Sequence, residues 1–307
     1  MEVNKIIKGD ALTALKNIPS ESVDMCITSP PYWALRDYGV KGQIGLEPNF
    51  DDYVGKLCDV FDQVKRVLKK TGTCWVNLGD TYYTKSGASF LNDNLNSNKR
   101  IKKIGINRAN SIRGRGLLKD KNLTLTPLRF AIEMQRRGWI IRNVIIWHKP
   151  NCMPSSVKDR FTVDFEYLFF FSKNKKYYFK QQREPHKVES IKRTKNKWNG
   201  HREPGSSFVG MDITKMCHPK GRNKRCVWSI PTQSFKDAHF AVYPEKLIEI
   251  PIRAGCPKRG IVLDPFLGSG TTALTSLKQN KSFIGIDINQ DYIDIAKRRL
   301  IEFLKNG

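Results

Sequence analysis

Acidic residues are scarce in this chain, and long apolar runs are missing from it. Across 307 residues, 29 Asp and Glu stand against 54 Lys and Arg, giving a formal charge of +25 and a pI near 9.8. That imbalance favours polyanionic partners such as nucleic acid, a ribosome or an anionic membrane surface. No stretch approaches the length of a bilayer-spanning helix. Met1-Glu2-Val3-Asn4-Lys5 enters a strand-like pattern at once, without the apolar region of a secretion signal. The expectation is therefore an intracellular, cytoplasmic protein with no membrane contact.

Disulfide and metal chemistry lack their usual signatures. The seven cysteines, at 26, 58, 74, 152, 217, 226 and 256, are odd in number and scattered, which fits reduced thiols packed as small core residues. Cys217-His218 and Cys226 come nearest to a zinc site, but paired Cys-x-x-Cys spacing is absent. No metal is expected. The hydrophobic share of 39%, with 10% aromatic, suits a globular chain with one large core or two modest ones.

The positive charge is present in blocks. Between Lys173 and Arg225, 16 Lys and Arg face 4 Asp and Glu, and between Lys99 and Lys121, 9 face 1. Trp198, Phe208 and several glycines interleave with the first block, as on surfaces that follow a phosphate backbone. Around these inserts, strands alternate with helices. Strand patterns cover residues 4–8, 23–28, 73–78, 140–147, 166–172, 261–263 and 282–286; helical ones cover 11–17, 51–69, 127–137, 244–254 and 271–279, with a last from Asp291. Phe161, Phe165 and Phe169 to Phe171 are read as core. The fold expected is α/β, a doubly wound, mostly parallel sheet. Its parts are a catalytic region 1–172 with a mobile basic loop about 84–125, a basic insert 173–230, and a cofactor-binding region 231–307.

Two motifs carry chemistry. Ser29-Pro30-Pro31-Tyr32 follows the apolar run Val23 to Thr28, and its prolines make a stiff turn whose carbonyls lack local donors. The exocyclic amine of a nucleobase shares its lone pair with the ring, so it attacks an electrophile only when both protons are held and the nitrogen becomes more tetrahedral. The Ser29 hydroxyl and the Pro30 carbonyl are suited to that, and Tyr32 to stacking on the base. The second motif, Asp264-Pro265-Phe266-Leu267-Gly268-Ser269-Gly270-Thr271-Thr272, lies between an apolar strand and a helix start. Glycines there let backbone approach a ligand, and Asp287, at the end of the next strand, is placed to bind both ribose hydroxyls of a nucleoside. Alone, this second motif fits NAD as well as S-adenosylmethionine.

Together, Ser29-Pro30-Pro31-Tyr32-Trp33 and Asp264 to Thr271 resemble those of the DNA amino-methyltransferases of restriction-modification systems, which methylate adenine N6 or cytosine N4. Catalytic motif before cofactor motif, with a recognition region between them, resembles the β class. The resemblance implies a circularly permuted, seven-stranded Rossmann-like sheet in which strand 4–8 joins the C-terminal strands. It implies S-adenosylmethionine as methyl donor, S-adenosylhomocysteine as product, and a cofactor pocket of Asp10, Phe240, Asp264, Phe266, Gly268, Ser269, Gly270, Thr271 and Asp287. His239-Phe240-Ala241 to Leu247 matches the segment near the methionine part, where Pro244 and Glu245 serve equally as helix starters.

Serine at position 29, where adenine enzymes of this family carry Asp or Asn, favours cytosine N4, with adenine N6 the alternative. The target must leave the duplex stack; Tyr32 and Trp33 are candidates to hold it, and Arg222, Asn223, Lys224 and Arg225 to read or grip DNA. No proline precedes any cysteine, so the Pro-Cys nucleophile of carbon-5 enzymes is absent. The partners implied are double-stranded DNA in the nucleoid, a cognate restriction endonuclease and a second copy of the chain. Rival readings are an RNA-base or glutamine methyltransferase, a nucleic-acid-binding protein without turnover, and an NAD enzyme.

Overall fold

The computed structural model describes residues 1–83, 118–195, 217–233 and 243–306. They form two units, one of Met1–Phe179 with Cys226–Gly307 and one of Lys180–Arg225. The strands are β1 (Lys5–Lys8), β2 (Val23–Thr28), β3 (Leu68–Leu78), β4 (Ile140–His148), β5 (Phe165–Ser172), β6 (Arg183–Glu184), β7 (Arg222–Asn223), β8 (Val227–Ser229), β9 (Ile261–Asp264) and β10 (Ser282–Asp287). The helices are α1 (Ala11–Lys16), α2 (Phe50–Val67), α3 (Thr126–Arg136), α4 (Val188–Lys195), α5 (Glu245–Gly255), α6 (Thr271–Lys278) and α7 (Gln290–Asn306). None is long and apolar enough to cross a membrane.

The large unit is a sheet of order β1-β10-β9-β2-β3-β5-β4-β8. It has eight strands where seven were expected. The extra one is β8, a three-residue edge strand parallel to β4 with Trp228 opposite Trp147, too short to leave a periodic signal. β8 falls within the stretch 173–230 read as the insert, and the small unit spans Lys180–Arg225. Most of the loop expected over 84–125 lies outside the described residues, and its end returns to Tyr82 through a bridge to Leu123.

The two ends of the chain meet in this sheet. β1 runs parallel to β10, with Lys5 opposite Ile284 and Lys8 opposite Asp287, and β9 lies parallel to both β10 and β2. Only β5 runs against its neighbours, β3 and β4. Every residue of β2 is buried, the signature of a central strand covered on both faces.

Each helix lies where its apolar stripe directs it. Along α2, Tyr53, Leu57, Phe61 and Val64 recur at helical spacing and are fully buried. Asp51 and Asp52 in the first turn and Lys65 and Arg66 in the last suit the helix dipole. With α1 and α3 it covers one face of the sheet, in a core that includes Phe130, Phe169 and Phe171. The opposite face packs Phe170, Trp75 and Met25 against Leu247 and Ile252 of α5, with Trp75 and Phe170 stacked at 4.0 Å. Phe169 to Phe171 thus alternate between faces as a strand requires. Phe161 does not join them: it is 95% exposed.

Four of the cysteines, 26, 58, 74 and 256, are buried. Burial pushes the Cys58 and Cys256 thiols up to about 12, which makes them inert packing groups.

In the small unit, β6 and β7 form an antiparallel pair. Arg222, expected to contact DNA, is committed within it: its guanidinium donates to Glu184 at 2.9 Å. Asn223 accepts from Gln181 at 2.6 Å, and the Lys224 ammonium lies 3.9 Å from the second Glu184 oxygen.

Candidate active site

The carboxyl ends of β1, β2, β3, β4, β9 and β10 lie along one edge of the sheet, and the order in which strands are added switches between β9 and β2, parallel neighbours drawn from the two halves of the chain. Ligands of open α/β sheets bind at such switch points. A cavity of about 420 Å³ opens at this edge, and Ser29, Pro30, Pro31 and Tyr32 share it with Asp10, Phe266, Gly268 and Asp287.

The Pro-Pro turn is fastened from below and from the side. Tyr53 of α2 donates to the Pro31 carbonyl at 2.8 Å, and no hydrogen bond among the described residues engages the Pro30 carbonyl. The Tyr32 hydroxyl donates to Glu166 Oε2 at 2.7 Å and lies 3.3 Å from Asn77 Oδ1, while Ser29 Oγ is 3.5 Å away. Asn77 Nδ2 donates to the same Glu166 oxygen at 3.0 Å and to the Tyr167 carbonyl at 3.1 Å. Lys149 closes the group with a short contact to Glu166 Oε1. Burial and the Glu166 charge push the Tyr32 phenol well above its ordinary range, so the ring stays neutral and donates to Glu166 instead of ionising.

Gly79 leaves room for this arrangement. A methyl group on it would lie 2.7 Å from Tyr32 Cε2 and 3.3 Å from the Glu166 carboxyl carbon. Gly79→Ala is expected to shift the Tyr32 ring and lower turnover by about tenfold or more, at about 1–3 kcal/mol in stability. Turnover equal to the parent, measured beside a melting curve, contradicts that reading.

On the other side of the cavity, Asp287 Oδ2 accepts from the Gly268 N–H at 2.7 Å and Oδ1 from the Asn289 N–H at 2.8 Å. Burial raises its carboxyl from 3.8 to about 6 against the opposing pull of these amides. Asp10 caps α1 through the Thr13 N–H at 2.9 Å and also lines the cavity.

A family model described as DNA methylase, the N6 and N4 amino-methyltransferases, matches residues 23–298. The chain belongs to the DNA amino-methyltransferase family. The methyltransferase is 41% identical over 300 residues to the Type II methyltransferase M.SmaI of Serratia marcescens, covering 97% of this chain and 90% of that one. Among solved structures, the PvuII DNA methyltransferase (cytosine-N4-specific) superposes with a TM-score of 0.64 at 18% identity, covering 97% of this chain and 86% of that one. A putative DNA modification methylase of Thermus thermophilus, complexed with S-adenosyl-L-methionine, gives 0.58 at 22%, covering 97% and 93%. Both share the fold.

Several residues expected in the methyltransferase's site do not line the cavity. Trp33 is 3% exposed, donates to the Glu47 carbonyl at 3.0 Å and packs edge-on against Phe50. Asp264 sits behind the cavity wall, buried, where it accepts from the Phe266 N–H at 3.0 Å and binds the Tyr243 and Thr272 hydroxyls. Ser269 and Thr271 are buried and held by Arg299 of α7, which donates to the Ser269 carbonyl at 2.7 Å and to both hydroxyls at 3.1 Å. Gly270, at φ +83°, lets Ala296 of α7 approach: a Cβ there would meet the Ala296 Cβ at 2.8 Å. These four build the turn; Phe266, Gly268 and Asp287 face the cavity. Phe240 lies outside the described residues. Asn77, Lys149 and Glu166 were missed, although a polar residue inside the apolar run Cys74 to Leu78 was a visible signal for the first.

Proposed function

We propose that this protein is a Type II DNA methyltransferase that moves the methyl group of S-adenosylmethionine to the N4 amine of a cytosine swung out of duplex DNA. The observation that carries the reading is the cavity shared by the Pro-Pro-Tyr turn and the Asp287–Gly268 cradle. That cradle suits a nucleoside cofactor. Each Asp287 oxygen has taken one backbone N–H and keeps a further acceptor site for a ribose hydroxyl, while Gly9 and Gly268 bring backbone to the cavity without side chains.

S-adenosylmethionine, when bound, supplies an electrophilic sulfonium methyl. The chain's own residues do the rest. Ser29 Oγ and the Pro30 carbonyl accept hydrogen bonds from the two amine N–H groups and localise the nitrogen lone pair. Tyr32, immobilised by Glu166 and Asn77, offers a ring on which the extruded base stacks. The methylated nitrogen then loses a proton to water, and no covalent enzyme intermediate forms. Support for cytosine comes from Ser29, from which the reading started, and from the N4 specificity named for the PvuII enzyme. Support for duplex DNA and a companion endonuclease comes from the Type II relatives, and a DNA substrate implies work in the cytoplasm.

Transfer of tritium from labelled S-adenosylmethionine tests the reading, with label expected in duplex DNA. Label in RNA alone, or in nothing, overturns it. If the basic insert neutralises roughly six to ten phosphates, DNA affinity falls ~10³- to 10⁵-fold between about 50 and 200 mM salt. A flat salt response in a binding titration contradicts the insert's role.

A further inference from the structure

The loop 150–163 between β4 and β5 holds apolar side chains that neither the core nor the active site uses. Phe161 is 95% exposed, Met153 66% and Val163 44%. Loose chain does not account for this, because the loop is tied down on both sides of the exposed ring. The Lys149 N–H donates to the Asp164 carbonyl at 2.7 Å and closes the loop, and Asn151 exchanges hydrogen bonds of 3.1 and 2.8 Å with Thr232. Asp159 pairs with Lys121 at 2.7 Å, and the Arg160 guanidinium lies 3.3 Å from the centre of the Tyr82 ring. Held by such neighbours and still in water, Phe161 gains nothing from burial until a partner covers it.

Position and charge identify the partner. The loop leaves the sheet at the pair His148–Phe165; Lys149, one residue beyond that pair, and Glu166, one residue inside it, both line the cavity. Only Thr162 and Val163 lie between Phe161 and Asp164, so three Cα steps keep the Phe161 Cα within ~11 Å of the residue that closes the loop. Lys158 and Arg160 precede the ring, and Asp159 between them is paired with Lys121; on a chain of net charge +25 this setting repels cationic protein surfaces and attracts phosphates. Apolar side chains set among cations are the means by which proteins part a base step.

We propose that loop 150–163 is a wedge that enters the duplex beside the active site, with Phe161 occupying the space in the stack that the target base vacates. The proposal rests on the reading of the cavity as a pocket for an extruded nucleotide. It assigns Phe161 a positioning role: the ring does not touch the reacting atoms, and it holds the flipped state open by replacing lost stacking.

The test is single-turnover methylation by the parent, Phe161→Ala and Phe161→Trp on two duplexes carrying the recognised sequence. In one the target base is paired; in the other it faces an abasic site, where extrusion costs less. Phe161→Ala is expected to be about 10- to 100-fold slower than the parent on the paired duplex and within about threefold of it on the abasic one. Phe161→Trp stays near the parent on both, and the melting temperature of each variant is unchanged. Equal deficits on the two duplexes, no deficit on the paired one, or a large fall in melting temperature overturns the wedge. A parent protein that methylates neither duplex contradicts the methylation reading itself, and the wedge falls with it.

Discussion

Tyr32→Ala lowers methyl transfer by about 10²- to 10³-fold while S-adenosylmethionine binds as in the parent. Two losses combine. A base that stacked on the ring gives up ~1–3 kcal/mol. Glu166 and Asn77, which engage the phenol at 2.7 and 3.3 Å, lose a partner in a half-buried site, which costs about 1–3 kcal/mol more. At about 1.4 kcal/mol per factor of ten, the centre of that sum, about 4 kcal/mol, corresponds to a loss just under 10³-fold. Tyr32→Phe separates the terms: it keeps the ring, frees it from Glu166 and loses only the hydrogen-bond part. Calorimetric titration with S-adenosylmethionine beside a turnover assay reads both variants, and undiminished turnover of Tyr32→Ala contradicts the stacking role.

Asp287→Ala is expected to weaken cofactor binding by roughly 10²-fold or more. The substitution removes the proposed acceptor of two ribose hydroxyls and leaves the Gly268 and Asn289 N–H groups, now bound at 2.7 and 2.8 Å, without their partner. The same carboxyl gives the parent a pH dependence. Burial lifts it from 3.8 to about 6, and the charged form is the one that accepts from the ribose. Cofactor affinity is therefore constant above about pH 7 and falls toward about tenfold per pH unit below about 6. For the cofactor-free fold the sign is opposite. A raised carboxyl contributes stability that is fully present below its unfolded value and lost as pH rises through about 6. S-adenosylmethionine should thus protect against thermal unfolding more at about pH 8 than at about pH 5. Protection equal at the two pH values contradicts the assignment of Asp287.

The closing of the sheet from both ends of the chain was legible before the structure. Apolar runs at 4–8, 261–263 and 282–286 needed one another, and β1 pairs with β10 residue for residue. Periodicity reports which side of an element is buried, and it placed α2 and β5 well. It does not report what a side chain meets. Trp33, a candidate to hold the extruded base, is instead engaged by Phe50 and the Glu47 carbonyl, which lie 17 and 14 residues away in sequence. Phe161 continued an aromatic pattern that the chain abandons at the loop. The polar group around Tyr32 was hidden for another reason. Asn77 is 45 residues from Tyr32, and Glu166 is 134, so only the pairing of β3 with β5 brings them together. Within the glycine-rich turn, spacing could not separate residues that face the ligand, such as Gly268, from those that shape the turn, such as Asp264 and Thr271.

The proposed reaction forms one bond, between the donor methyl and a cytosine N4, and nucleoside analysis of the product reads that bond. Duplex DNA is incubated with the protein and labelled S-adenosylmethionine, digested to nucleosides and resolved by chromatography and mass. The account predicts the label in N4-methylcytosine. Label in N6-methyladenine, or DNA that carries none, contradicts it.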